Sequence, residues 1–238
     1  MRRVLAILAA GNATRAGVDK VLADLGGQPL LAWSLASGAA AGCFEEIVVV
    51  APKNSLVRIT ALVQERAPAV KVVPGGLTRT ASSWAALDAS EGADVLAIHD
   101  AARPFVPPSL FERCVEIALA EGSAVAGLPL ADTVRRADEA GAATEEVSRD
   151  GLWSAQTPQV FRRELLVRAR AAAGDQSFSD DAAAVVAAGI QPKMVPGERR
   201  NLKITTFEDL AYARELVEKG LVGFPAMNIG SGRVASDG

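Results

Sequence analysis

The chain has 238 residues, of which 50% are hydrophobic and 22% are charged, and this suits one large globular domain. Its formal net charge of −3 argues against a surface that coats nucleic acid, and the lack of any run of about 18 apolar residues predicts a cytoplasmic protein that does not span a membrane. Two distant cysteines and a single histidine argue against a thiol or zinc site.

The first half of the chain alternates short apolar runs with amphipathic or alanine-rich segments. The apolar runs predict buried strands at residues 4–8, 47–51, 70–73, 95–98 and 124–128. The segments between them predict helices at residues 30–41, 56–66, 81–89 and 109–121, the last with Ser109 as its N-cap. This alternation predicts a Rossmann-like α/β fold, in which helices flank a mostly parallel, twisted sheet.

The second half begins with a segment of different character. Residues 132–150 are charged, rich in alanine and glycine, and too many for an ordinary loop, so we expect either an excursion that meets a partner or a lid. Helices at 162–173 and 180–188, a strand at 191–195 and a helix at 207–219 follow, the last with a capping box formed by Thr205 and Glu208. We expect residues 1–219 to form one domain and residues 220–238 to be a loose tail.

Ligands in such sheets bind at the carboxyl ends of the strands, and the loop of residues 9–20 follows the first strand. Its backbone N–H groups can face an anion, to which Arg15 and Lys20 add positive charge. A simple turn with two solvated cations explains this loop equally well. The GxxxxGK[ST] and GxGxxG motifs are absent, and the second strand ends in Ala51-Pro52-Lys53, where an NAD-binding fold would have an acidic residue.

Two later motifs also follow predicted strands. Gly75-Gly76 opens a turn that a nucleobase can approach closely, with Ser82 near the start of a helix; a plain turn with an N-cap is the alternative. In the segment 99–104, Asp100 ends a buried strand and Arg103 follows small residues. This arrangement suits Mg²⁺ and phosphate, although a structural Asp–Arg pair is the alternative. We expect His99 to be packed and hydrogen-bonded rather than a general base.

Donors suited to a phosphate ester are scattered through the remaining sequence. They are Arg149, Thr157 and Lys203, and any one of them alone is more often a surface residue. Ser179-Asp180-Asp181 indicates a helix N-cap with acids that favour the helix dipole, rather than a metal pair.

Taken in order, these motifs resemble those of the 2-C-methyl-D-erythritol 4-phosphate cytidylyltransferase family, over residues 4–219. The resemblance is carried by Ala9-Ala10-Gly11 with Arg15 and Lys20, Gly75-Gly76 with Arg79 and Ser82, HDAARP at 99–104, TPQ at 157–159, and Asn201-x-Lys203-x-Thr205. It implies that the phosphate of the acceptor attacks the α-phosphate of CTP and releases pyrophosphate. Such transfers depend on positioning and charge stabilisation, so the lack of an activated nucleophile agrees with this activity.

The resemblance also implies roles for single residues. Charge stabilisation in catalysis falls to Arg15, Lys20, Arg149 and Lys203. Contacts with the nucleotide fall to Ala9, Ala10, Gly11, Gly76, Ser82, Asp100 and Ala101. Contacts with the acceptor fall to Arg103, Thr133, Arg149, Thr157 and Lys203. Mg²⁺ or another divalent cation is held mainly by the triphosphate, with Asp100 as its protein ligand. The arm at 132–150 interlocks two subunits of a homodimer, so that Arg149 completes the site of the partner.

Three other functions stay open. The nearest is a cytidylyltransferase for another polyol phosphate, such as ribitol 5-phosphate, because it would share the fold and the contacts with CTP. An NAD(P)-dependent oxidoreductase is disfavoured by the missing acidic residue after the second strand. A non-catalytic homologue would bind CTP without turnover.

Overall fold

The structure is a computed structural model and describes residues 1–10 and 20–226. Its strands are β1 (Arg3–Leu8), β2 (Asp24–Leu25), β3 (Gln28–Pro29), β4 (Glu46–Ala51), β5 (Lys71–Pro74), β6 (Val95–Asp100), β7 (Ser123–Pro129), β8 (Val134–Ala137), β9 (Ala143–Val147), β10 (Trp153–Arg162) and β11 (Lys193–Pro196). Its helices are α1 (Leu30–Ala40), α2 (Leu56–Arg66), α3 (Arg79–Ala89), α4 (Pro108–Glu121), α5 (Arg163–Ala173), α6 (Asp181–Ala187) and α7 (Phe207–Glu218).

One seven-stranded sheet, in the order β11-β7-β10-β6-β1-β4-β5, lies at the centre of the fold. Neighbouring strands are parallel except at β10, which runs antiparallel to both β6 and β7. The predicted α/β fold with a mostly parallel sheet is therefore confirmed. The adjacent strands β1 and β6 are almost wholly buried, as expected for continuous apolar runs covered on both faces.

Apolar side chains fill both faces of this sheet. Alternate residues of a strand point to opposite faces, so Leu5 and Ile7 join the core that contains Phe111, whereas Val4 joins the core that contains Leu96. Full burial of one such side chain stabilises the fold by roughly 1.5–3 kcal/mol. Both faces of the sheet are covered, and ligands of such sheets bind outside the carboxyl ends of the strands, so we expect the site there.

Strand β10 is the element of the sheet that the sequence does not predict. Its register shifts between Ala155 and Gln159, and the irregular stretch contains Gln156, Thr157 and Pro158. A proline has no N–H to donate, so an irregular stretch in a ladder is a place where it is tolerated. Because these polar residues interrupt the apolar pattern, the periodicity of the sequence hides the strand.

Two predicted helix caps are wrong by a residue or two. Helix α4 begins at Pro108 with Pro107 as its N-cap, so Ser109 lies inside the first turn. The capping box of α7 joins Thr206 and Asp209, one position later than predicted. In α7, two threonines and two acids stand side by side, so the sequence pattern permits either register.

The segment predicted as a protruding arm contains a two-stranded hairpin. Strands β8 and β9 pair antiparallel, from Val134 opposite Val147 to Ala137 opposite Ala143, and their side chains are mostly exposed. Because neither face of the hairpin is buried, its strands lack the apolar alternation by which a strand is predicted. A role of this hairpin in dimerisation stays a prediction.

The first residues of the segment after α7, which was expected to be a loose tail, make contacts with the domain. The ring of Phe224 meets Trp33 edge to face at 5.1 Å, and Trp33 in turn meets Phe105 at 5.4 Å. The carbonyl of Leu221 accepts a hydrogen bond from Arg200. Residues 227–238 lie outside the described residues. Of the helices in the described ranges, none is long and apolar enough to cross a membrane.

Candidate active site

Asp100, the last residue of β6, lies at the centre of a charged cluster at the carboxyl edge of the sheet. Its Oδ2 lies 2.6 Å from the Nζ of Lys203, and its Oδ1 lies 3.4 Å from a guanidinium nitrogen of Arg79. Burial by itself raises the pKa of this carboxyl, but the charges of Arg79 and Lys203 outweigh it and lower the pKa to about 2. Asp100 is therefore ionised at neutral pH.

Arg79, the first residue of α3, extends the cluster to α6. The same guanidinium nitrogen lies 2.8 Å from Oδ2 of Asp181, whose side chain is 3% exposed. Burial disfavours the charged guanidinium, but Asp181 and Asp100 together raise its pKa above the ordinary value. Sequence reasoning missed the contribution of Asp181, since an acid at a helix start is explained by the helix dipole alone.

Lys203 reaches the cluster because three sequence motifs bind one another. The N–H of Ile204 donates to the carbonyl of Ala102 at 2.8 Å, and the amide nitrogen of Asn201 donates to the carbonyl of Thr157 at 2.8 Å. Arg103 donates to the carbonyl of Asn201 at 2.8 Å. The structure thus brings together the segments 99–104, 157–159 and 201–205.

His99 and Thr157 form a buried hydrogen-bond network beneath the cluster. The Nε2 of His99 lies 3.2 Å from the carbonyl oxygen of Arg103, so Nε2 carries the proton and Nδ1 accepts from the Thr157 hydroxyl at 3.0 Å. The same hydroxyl accepts from the N–H of Asp100 at 3.0 Å. Burial lowers the pKa of His99 to about 4, which keeps the ring neutral. His99 is packed, as expected.

This network bears on two predicted acceptor contacts. The hydroxyl proton of Thr157 is donated to His99, and the side chain is 3% exposed, so the arrangement disfavours a direct bond from this hydroxyl to a phosphate. Arg103 is also buried, and one of its nitrogens bonds to the carbonyl of Asn201. Both residues lie beside the cluster and support the segment that carries Lys203.

Lys20 binds the other end of that segment. Its ammonium donates to the carbonyl of Thr205, across a separation of 185 residues, so Lys20 bonds to the segment that carries Lys203. Gly11 and Arg15 lie outside the described residues, as does the rest of 11–19.

Ala9 and Ala10 follow β1 and lie close to the glycine turn. Their N–H groups both bond to the carbonyl of Val50, and their side chains are buried in the cores on either face of the sheet. A Cβ at Gly75 would lie 2.6 Å from the Cβ of Ala10, so glycine is required for this close approach. The N–H of Ala101 bonds to the carbonyl of Leu8 and fixes the next strand end beside them.

Gly76 and Ser82 are joined within the same turn. The hydroxyl of Ser82 accepts from the N–H of Gly76 at 3.3 Å and donates to the carbonyl of Thr78. Thr78, not Ser82, caps α3, because its side chain accepts from the N–H of Ala81. Ser82 therefore braces the glycine turn from inside the helix.

Thr133 and Arg149 lie with the exposed hairpin, apart from the cluster. The guanidinium of Arg149 donates to the carbonyl of Ala131 and so closes the base of the hairpin. Among the contacts of the described residues, none joins Thr133 or Arg149 to Asp100 or Lys203. Their place in a site stays a prediction.

The cluster alone is a poor cation site. In the ranges that the structure covers, no three His, Cys, Asp or Glu side chains lie close enough to hold a metal ion. The carboxylate of Asp100 is also already paired with the positively charged side chains of Arg79 and Lys203. A divalent cation fits here only if most of its ligands come from a bound triphosphate, as was predicted for Mg²⁺.

Comparisons with known proteins all match this chain to one family. The sequence model of IspD, described as 2-C-methyl-D-erythritol 4-phosphate cytidylyltransferase, matches residues 4–219. The protein of that name from Deinococcus radiodurans is 42% identical over 218 residues, which cover 90% of this chain and 89% of that protein. The bifunctional enzyme IspD/IspF of Anaeromyxobacter sp. (strain Fw109-5) is 40% identical over 97% of this chain, which spans 62% of that longer protein.

A solved structure shares the fold. The crystal structure of 2-C-methyl-D-erythritol 4-phosphate cytidylyltransferase from Thermus thermophilus superposes with a TM-score of 0.75 and 34% sequence identity. The match covers 92% of this chain and 100% of that one. The likeness therefore extends over most of this chain.

Proposed function

The chain belongs to the 2-C-methyl-D-erythritol 4-phosphate cytidylyltransferase family, and we propose that it joins CTP to 2-C-methyl-D-erythritol 4-phosphate. The products are 4-diphosphocytidyl-2-C-methyl-D-erythritol and pyrophosphate, in the non-mevalonate pathway of isoprenoid synthesis. The reaction takes place in the cytoplasm.

One observation supports this activity above the others. Lys20 comes from near the start of the chain, yet it bonds to the carbonyl of Thr205, two residues after Lys203. The ammonium of Lys203 itself contacts Asp100 at the carboxyl edge of the sheet. Two ammonium groups at one edge suit a reaction between two phosphate-bearing substrates, because each substrate brings negative charge to the other.

The chemistry follows from this placement of charge. An oxygen of the acceptor phosphate attacks the α-phosphorus of CTP and forms a new P–O bond. The bond from that phosphorus to the oxygen shared with the β-phosphate breaks, and pyrophosphate leaves. Lys20, together with Arg15, stabilises the charge on the triphosphate and on the leaving pyrophosphate, and Lys203 orients the acceptor phosphate.

A divalent cation, Mg²⁺ by preference, assists from the nucleotide side. When bound, it would neutralise charge on the triphosphate and make the reacting phosphorus more electrophilic. Asp100 is the carboxylate available to it, and the triphosphate supplies the other ligands. The cytidine part of CTP binds against the turn at Gly75-Gly76, close to Ala9 and Ala10.

The hairpin of β8 and β9 makes the enzyme a homodimer. Its exposed strands, which pair with each other, support an arm that reaches a second copy of the chain. In that arrangement Thr133 and Arg149 meet the acceptor in the site of the partner subunit, which explains why they lie apart from the cluster of their own chain.

Pyrophosphate release in the presence of CTP tests the choice of acceptor. We expect turnover with 2-C-methyl-D-erythritol 4-phosphate to exceed turnover with ribitol 5-phosphate, and CTP to be preferred over ATP, GTP and UTP. Faster use of ribitol 5-phosphate would replace the acceptor in this proposal. Binding of CTP without turnover of either acceptor would indicate a non-catalytic homologue.

A further inference from the structure

We propose that Asp181 is a positioning residue for this reaction, which acts through Arg79 and Asp100 to hold the ammonium of Lys203 in place. The inference rests on the proposed function, since Lys203 has its role only if an acceptor phosphate binds there. Asp181 lies on α6, and no step of the chemistry above uses it.

The four side chains form a continuous row of alternating charges. Asp181 contacts Arg79 at 2.8 Å, Arg79 contacts Asp100 at 3.4 Å, and Asp100 contacts Lys203 at 2.6 Å. The row starts at a side chain that is 3% exposed and ends at one that is 42% exposed. It thus links a buried anchor to the cation that faces the site.

The distances show how the charge of Arg79 is shared. Arg79 makes its short contact with Asp181 and its longer contact with Asp100, and this leaves Asp100 in closest contact with Lys203. Without the charge on Asp181, the buried guanidinium would have to be compensated mainly by Asp100, because an unpaired buried charge is costly. Arg79 would then compete with Lys203 for the same carboxylate.

Asp181 is distinct from the residue that caps its helix. The N-cap of α6 is Asp180, whose side chain accepts from the N–H of Ala183 at 2.8 Å and from the amide of Gln159 at 2.8 Å. A change of charge at Asp181 therefore leaves the cap in place. Its effect on Lys203 can be separated from an effect on the start of the helix.

Steady-state kinetics of Asp181→Asn in the full chain tests the proposal. We expect the KM for 2-C-methyl-D-erythritol 4-phosphate to rise by about tenfold with a fall in kcat, since small displacements of a positioning group are costly. The KM for CTP should rise less than the KM for the acceptor, because CTP meets Asp100 mainly through its divalent cation, and Asp181→Glu should restore most of the loss. A purely structural role would lower the amount of active enzyme without changing either KM.

Asp88→Asn is the matched control. It removes another Asp–Arg pair of α3, the exposed contact of Asp88 with Arg170 at 2.5 Å, and it should leave both KM values unchanged. If Asp181→Asn does not fold, Arg79→Lys replaces it, because lysine keeps the charge but its shorter side chain falls short of the terminal nitrogen that contacts both carboxylates.

The outcomes separate this inference from the proposed function. An unchanged KM for the acceptor in Asp181→Asn, or in Arg79→Lys, would overturn the positioning role while leaving the activity intact. An equal rise in the KM for CTP would also overturn it. A wild-type protein that turns over neither acceptor would instead overturn the proposed function.

Discussion

Lys20 is the single side chain whose removal tests the proposed charge stabilisation most simply. We predict that Lys20→Ala lowers kcat by roughly 10²-fold or more, the scale expected for loss of one preorganised charge stabiliser. Lys53→Ala is the control, since Lys53 is an exposed cation after β4. Initial rates of pyrophosphate release measure both variants, and a change in KM alone for Lys20→Ala would show that this ammonium is not catalytic.

His99 links the stability of the protein to pH. In the folded protein the imidazole stays neutral down to about pH 4, because burial lowers its pKa. In the unfolded chain the exposed imidazole takes up its second proton near pH 6.5. Between these values the unfolded chain binds the proton and the folded chain does not. The free energy of unfolding therefore falls as the pH falls, by up to about 3 kcal/mol, and nothing is lost above pH 6.5.

Denaturant unfolding between pH 7 and pH 4 measures this effect. His99 is the only histidine of the chain, so we predict that His99→Gln has a flatter slope over this range. The pKa of Asp100 is lowered to about 2, so the stability from its ion pairs is lost below the window. Equal slopes in the two proteins would contradict the assignment.

The sequence predicted the place of the site better than the contacts within it. Asp100 and the glycine turn follow buried strands, and the carboxyl ends of those strands share one edge, so their meeting could be foreseen. The contact of Arg79 with Asp181 spans 102 residues and depends on how α6 packs beside α3. No local pattern encodes such a separation, and this is why Asp181 was missed.

Among the elements, the segment after α7 contributes more to the stability of the fold than its sequence indicates. Phe224 covers Trp33, which itself packs on Phe105 just after the segment 99–104. We predict that Phe224→Ala lowers the free energy of unfolding by about 1 kcal/mol, the order expected for a lost edge-to-face pair. Urea denaturation checks this, with Phe207→Ala as an exposed aromatic control. A stability equal to wild type would show that the segment adds nothing.

Strand prediction succeeded where the strand is a mostly apolar run and failed where polar residues interrupt or replace that run. Strands β1, β4 and β6 are continuous apolar runs, because both faces of the sheet are covered there. Strand β10 carries a polar, irregular stretch at Thr157, and the hairpin of β8 and β9 is exposed on both faces. Tertiary pairing, rather than local periodicity, makes these segments strands.

At the scale of the whole molecule, the proposed dimer predicts that two inactive variants regain activity when they form a mixed dimer. In a mixed dimer of Lys20→Ala and Arg149→Ala subunits, one site keeps its own Lys20 and receives an intact Arg149 from the other chain. After unfolding and refolding of an equal mixture, we predict about a quarter of wild-type activity, because half of the dimers are mixed and each has one intact site.

Two results would contradict a site that is shared between the subunits. Activity no higher than that of either variant alone would show that Arg149 serves its own subunit or no site at all. A fully active monomer at micromolar concentration, measured by sedimentation, would likewise contradict the shared site.

The central claim is that the cluster around Asp100 and Lys203 transfers a cytidylyl group, and product formation tests it most directly. Wild-type protein and Lys203→Ala are incubated with CTP, Mg²⁺ and 2-C-methyl-D-erythritol 4-phosphate, and ³¹P NMR follows the new diphosphate ester and free pyrophosphate. We predict that both products form in equal amounts with the wild type, and roughly 10²-fold more slowly with Lys203→Ala. A wild type that forms no ester, or a Lys203→Ala variant that forms it at the wild-type rate, would contradict the account.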